Sequence, residues 1–279
     1  MKKKLLLGVF TAGAIAGGLL STKAFAQVEG EISPEEEMRL VQEFNKMLAE
    51  GVNPGEIWYE VGKEAIKKYH LDKCDLGLGP GGFKGAAAQL PRYFADAGKV
   101  MDLETRVGWC LQKYAGMTQD QVLKFVRQCW GKSGNCMSEY DGIIMYLTME
   151  SNGHKINVNL KDPHVKKMFE MGKQVYYTRL GPWDFNCATC HAGKKEVRIR
   201  ATRLWSADRP GEAGGAVSIF PKYLVRWGMP MSMHYRYAEC IRQMRWPEFI
   251  PHSDLGVALS TYMYGLANGT EIKAPGIGR

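Results

Sequence analysis

Beyond residue 26 the chain lacks any apolar run approaching the ~20 residues that a membrane-spanning helix needs, so no span is expected after that point. It has no Lys/Arg tract and no accompanying stacking motif, which argues against nucleic-acid binding despite a formal net charge of +8. Stretches that alternate polar and apolar residues are few, which excludes an all-β fold and leaves a mainly α class. Close cysteine pairs are equally scarce. Of seven cysteines only Cys187 and Cys190 have the Cys-x-x-Cys spacing, and a zinc site would need a second pair of ligands at short spacing.

What is present is Cys187-Ala188-Thr189-Cys190-His191. Two thiols separated by two residues and followed by histidine form the c-type haem attachment signature. Each thiol can form a thioether to a haem vinyl group, and the imidazole ligates iron. One covalently bound haem is therefore expected here.

The start of the chain sets the compartment. Met1-Lys2-Lys3-Lys4, the apolar run Leu5 to Leu20 and Ala24-Phe25-Ala26 are the three parts of a secretory signal peptide, so residues 1–26 are expected to be removed and the product to be periplasmic. Removal of Lys2, Lys3, Lys4 and Lys23 lowers the formal charge from +8 to +4. Residues 187–279 carry 13 Lys+Arg against 7 Asp+Glu, and the stretch from 27 to 186 is net −2. The haem motif thus lies in the positive part, which suits an anionic substrate or an acidic partner; haem propionates and solvated arginines account for the excess equally well. In an oxidising compartment, four of the remaining cysteines, Cys74, Cys110, Cys129, Cys136 and Cys240, could form two disulfides, with three pairings open.

Laid on itself, the chain repeats. Glu60-Val61-Gly62-Lys63 recurs as Glu170-Met171-Gly172-Lys173, and Arg106-x-x-x-Cys110-Leu111 as Arg236-x-x-x-Cys240-Ile241. Each half closes with an apolar helix ending in Asn-Gly, Tyr146 to Gly153 and Tyr262 to Gly269. The expectation is two related, mostly helical domains, 27–153 and 154–279, the first without haem because Cys74 stands alone. If both share a fold, Cys110 lies across the haem-free site from Cys74, so a Cys74–Cys110 bridge is the simplest arrangement and Cys129–Cys136 the second. Helices are expected from Ser33-Pro34-Glu35-Glu36 to Gly51 and from Ile57 to His70, a strand at 195–200, and a loop from Arg209 to Gly215.

The far side of the iron decides between carrier and enzyme. Candidate ligands are Met229, Met231, Met233, His234, Cys240, Met244 and His252. Methionine, first Met229, would make an ordinary electron-transfer cytochrome. The repeat favours Cys240 instead, and Arg236 one helical turn before it would lower the thiol pKa.

Cys187 to His191, Phe220-Pro221-Lys222-Tyr223, Arg236-x-x-x-Cys240-Ile241-Arg242-Gln243-Met244-Arg245, the closing Ala267-Asn268-Gly269 and Pro275-Gly276, and upstream Gly85-Ala86-Ala87-Ala88 and Pro91-Arg92-Tyr93 resemble the SoxA subunit of the SoxAX cytochromes over most of the mature chain. The resemblance implies two cytochrome c-like domains and, with the first haem motif lost, the monohaem group in which a disulfide replaces that haem. It implies L-cysteine S-thiosulfotransferase activity: oxidative joining of thiosulfate to a cysteine of the carrier SoxYZ, with two electrons passed to cytochrome c. It further implies His191 as proximal ligand, Cys240 as distal ligand and active-site cysteine, often a persulfide, Arg236 beside it, and a SoxX-type cytochrome as partner subunit.

Overall fold

The computed structural model describes residues 33–132, 136–193, 196–199, 202–209 and 211–278; the leader expected over residues 1–26 lies outside them. The chain up to Arg39 is one unit and Leu40–Arg279 a second, compact one, which contains everything below except the start of α1. The helices are α1 (Pro34–Glu50), α2 (Ile57–Lys68), α3 (Leu103–Ala115), α4 (Gln119–Val126), α5 (Glu139–Met149), α6 (Pro163–Tyr177), α7 (Cys187–His191), α8 (Ala213–Val217), α9 (Met233–Gln243) and α10 (Asp254–Leu266). The strands are short: β1 (Arg92–Phe94) pairs antiparallel with β2 (Lys99–Met101), β3 (Val197–Ile199) with β4 (Thr202–Leu204), and β5 (Lys222–Leu224) lies between antiparallel β6 (Met229–Met231) and parallel β7 (Gly276–Gly278). The class is mainly α.

Two pairs carry most of the helix–helix packing, α2 on α5 and α6 on α10. The glycines of the repeated tetrapeptide sit at their closest points. A Cβ on Gly62 would overlap the backbone carbonyl of Gly142, and one on Gly172 would overlap that of Ala258. The repeated Gly is thus a contact residue that lets two helix backbones meet, which explains its fixed place between charged neighbours.

A second similarity of form links the hairpins to the helices that follow. Pro91, the β1–β2 hairpin, the cap Asp102 and α3 stand 130 residues before Pro221, the β5–β6 hairpin, the cap Ser232 and α9. The register agrees, Arg92 opposite Met101 and Lys222 opposite Met231. Cys110 and Cys240 are each the eighth residue of their helix. Disulfides join Cys74 to Cys110 and Cys129 to Cys136, leaving Cys187, Cys190 and Cys240 unbridged.

The halves interlock through buried polar groups. The Ser232 hydroxyl donates to Glu104 Oε2 at 2.8 Å and the His234 amide to Glu104 Oε1 at 2.8 Å, while His234 Nε2 meets Asp102 Oδ2 at 2.7 Å. Burial disfavours the charge on His234, but Asp102 and Glu104 outweigh it and raise its pKa to about 9. Trp130 stacks on Tyr235 with ring centroids 5.0 Å apart, and the Tyr140 hydroxyl meets His252 Nε2 at 2.8 Å.

Several boundaries differ from the sequence reading. The second helix stops at Lys68, two residues short, and the closing apolar segments are the ends of helices that begin upstream, at Glu139 and Asp254. Arg209 to Gly215 is not all loop, because α8 begins at Ala213. Gly214 and Gly215 are there for space: a Cβ on Gly214 would overlap Thr270, and one on Gly215 would stand 2.7 Å from the Trp205 ring. Of the strand expected at 195–200, Val197–Ile199 is a strand, and Lys195 and Arg200 lie outside the described residues.

Candidate active site

The five residues of the haem motif are themselves a helix, α7, and its cap is written into the motif. Asn186 Oδ1 accepts the Thr189 amide at 2.7 Å, and the Asn186 amide donates to Thr189 Oγ1 at 3.1 Å, a reciprocal capping box. Asn186 Nδ2 donates to the Tyr177 carbonyl at 2.7 Å and ties the cap to the end of α6. The His191 carbonyl accepts from the Tyr176 hydroxyl at 2.6 Å and from the Ala207 amide at 2.8 Å, so both ends of the short helix are held.

One contact fixes the imidazole. His191 Nδ1 lies 2.8 Å from the Trp205 carbonyl oxygen, which can only accept, so Nδ1 carries a proton, and in the neutral ring Nε2 is the nitrogen with the lone pair. That is the state in which histidine ligates a metal, oriented by a carbonyl behind it.

Across from His191 stands Cys240 on α9. The first half sets the start of that helix through Glu104, and at its far end Trp246 Nε1 donates to the Phe185 carbonyl at 3.0 Å, two residues before Cys187. The half-buried Cys240 thiol lies close enough to His191 for the imidazole to act on it. Burial pushes the thiol up, but the Arg236 guanidinium and the His191 contact outweigh burial and hold it below its ordinary value. The two motif thiols behave oppositely. Burial, reinforced by Cys240, pushes Cys187 up to about 12, and burial likewise raises Cys190 against the opposing pull of Arg236. Among these three sulfurs, Cys240 is the one poised as thiolate.

The residues fit a c-type haem. Two thiols on one turn supply the attachment points, one imidazole offers Nε2, and a thiolate-prone sulfur faces it. Cys187, Ala188 and Ala192 pack on an apolar cluster that includes Val217, Tyr262 and Phe220.

The two other histidine candidates are engaged elsewhere. His234 is fully buried against Asp102, and His252 bonds Tyr140, its pKa held down to about 3 by burial and by His234. Met229 and Met231 are buried in β6. Sequence reasoning did not single out Lys222, which occurs only within the Phe-Pro-Lys-Tyr motif. The structure leaves it half-buried on β5, which pairs with the strand leading into α9, and within reach of the Arg236 charge.

The family described as SoxA/TsdA, cytochrome c domain, matches residues 55–156, the half without the haem motif. The chain is 38% identical to L-cysteine S-thiosulfotransferase subunit SoxA of Hydrogenophilus thermoluteolus, covering 96% of this chain and 98% of that protein. The chain belongs to the SoxA family. A SoxA subunit of Hydrogenobacter thermophilus is 30% identical, covering 96% of each chain. The crystal structure of SoxXA from P. pantotrophus superposes with a TM-score of 0.62 over 81% of this chain and 79% of the matched chain, at 23% identity, so the fold is shared well beyond the sequence. No helix among the described residues is long and apolar enough to cross a membrane.

Proposed function

We propose that the chain is the active-site subunit of an L-cysteine S-thiosulfotransferase, as its SoxA relatives are named. It joins thiosulfate to a cysteine of a SoxYZ-type carrier and delivers two electrons to cytochrome c. The observation that carries this reading is the thiol of Cys240, kept toward the thiolate by Arg236 and gathered with His191 and the Cys187–Cys190 pair in one electrostatic cluster.

In this reading one haem would be attached through Cys187 and Cys190, and His191 and Cys240 are the residues that would ligate its iron. When bound, it supplies a one-electron redox centre next to the reactive sulfur. The site otherwise works through the chain's own groups. The Cys240 thiolate bonds to the outer sulfur of thiosulfate, and the two electrons lost leave to the acceptor cytochrome. Arg236 holds the sulfonate end and offsets its charge. The carrier thiolate then attacks that same outer sulfur; the S–S bond to Cys240 breaks, and Cys240 departs as thiolate, ready for another turnover. Trp205, through its carbonyl, keeps the His191 imidazole oriented.

The haem-free half, 27–153, and the haem half, 154–279, are read as products of one duplication, supported by the matched hairpin, cap and helix at a constant 130-residue offset. The Cys74–Cys110 bridge occupies the first half's counterpart of the Cys240 position. A SoxX-type cytochrome is the partner subunit. Two disulfides and the leader sequence support a periplasmic location.

Spectroscopy of the haem-loaded protein tests the ligand assignment. A thiolate signature is expected, lost in Cys240→Ala while the haem stays covalently attached. A thioether signature unaffected by that substitution would make the chain an electron carrier with a methionine ligand instead.

A further inference from the structure

The two halves treat their matched cations differently. In the first, Arg106 is 1% exposed and fully used: it forms two 2.9 Å bonds with the Asp96 carboxylate and donates through Nε to the Asp75 carbonyl at 2.9 Å. Arg92, at the start of the hairpin, donates to the Gly77 carbonyl at 2.9 Å. The same positions 130 residues on are Arg236 for Arg106 and Lys222 for Arg92, and the position of Asp96 is Arg226. The carboxylate that neutralises the first site has become a third cation.

The consequence is visible around Cys240. Among the described residues neither Arg236 nor Lys222 has a carboxylate partner. The acid nearest Cys240 along α9, Glu239, is held by Arg242 at 2.9 Å. Lys222 reaches its position because Gly278 has no side chain: a Cβ there would overlap the lysine's Cε. Burial and the neighbouring Arg236 charge lower the Lys222 pKa to about 8, the direction expected of an ammonium that lacks its counter-ion. Two half-buried cations in one region, one of them a helical turn from a reactive sulfur, are costly unless an anion completes them.

We infer that Lys222 is a second anion-binding residue of this site, acting with Arg236 to hold the sulfonate end of a doubly charged sulfur oxyanion. The inference rests on the function proposed above and adds a specificity element to it. Two cations favour a dianion over a monoanion of the same shape, and the loss of the Asp96 carboxylate at Arg226 is what leaves them available.

Steady-state conjugation tests this, with the haem-loaded chain in complex with its partner cytochrome, thiosulfate varied and carrier fixed. Lys222→Met should raise the thiosulfate KM about tenfold or more with kcat within about threefold, and Lys222→Arg should recover most of the loss. Arg226→Asp, which rebuilds the first half's carboxylate on an external turn, should also raise that KM by pairing Arg236. Haem midpoint potential is measured on the same samples. A wild-type thiosulfate KM in Lys222→Met overturns the inference, and a shifted potential with that unchanged KM assigns the lysine to a haem propionate. Failure of the wild-type complex to conjugate would reject the function itself; normal wild-type turnover with an unaltered KM in Lys222→Met would reject only Lys222.

Discussion

Cys240 and Arg236 sit one helical turn apart, and that spacing, together with the repeat that matches Cys240 to Cys110, makes the pair legible in the sequence as an activated thiol. His191 was equally legible, since its role follows from contiguous residues. The sequence did not disclose which nitrogen of His191 is free, because that depends on the Trp205 carbonyl fourteen residues away. Nor did it separate His234 and His252 from true ligand candidates: a histidine's neighbours across the fold, here Asp102 and Tyr140, decide its use. Lys222 was hidden for a related reason, because what marks it is a missing carboxylate in three dimensions. At this scale, Arg236→Ala should raise the thiosulfate KM by about tenfold to a hundredfold through loss of a charge-assisted bond, while the thiolate signature of the haem-loaded protein largely persists. Unchanged kinetics would remove Arg236 from the site.

Helices that must approach closely carry their own mark. The glycine in Glu-Val-Gly-Lys and again in Glu-Met-Gly-Lys was readable as a repeat, and its purpose, backbone contact with Gly142 or Ala258, emerges only when α2 meets α5 and α6 meets α10. The short α8 was misread because glycine signals both turns and tight packing, and Trp205 and Thr270 decide for packing here. Gly172→Ala separates two opposing effects. Helix propensity favours alanine by about 1 kcal/mol, whereas overpacking against rigid backbone costs about 1–3 kcal/mol or more. The carbonyl of Ala258 has no flexible end to move aside, so the clash should win and Tm should fall by several degrees on thermal melting. A rise in Tm would contradict the α6–α10 contact.

Across the molecule, the half without a haem motif supports the half with one. Asp102 and Glu104, at the start of α3, grip Ser232 and His234, at the start of α9, so the helix that carries Arg236 and Cys240 is seated on its own counterpart. The mainly α class and the matched order of motifs could be read from the sequence, since both lie in local pattern. The interlocking of the halves into one compact unit could not, because the buried ion pair and hydrogen bonds that join them link residues about 130 apart. The account stands or falls on one sulfur in that unit. Mass analysis of the carrier after incubation with thiosulfate, oxidised cytochrome c and the haem-loaded chain in its complex reads the product directly. The carrier should gain a thiosulfate adduct with the wild-type chain and none with Cys240→Ala, whose haem remains attached. An adduct formed equally well by Cys240→Ala, or none formed by the wild type, would contradict it.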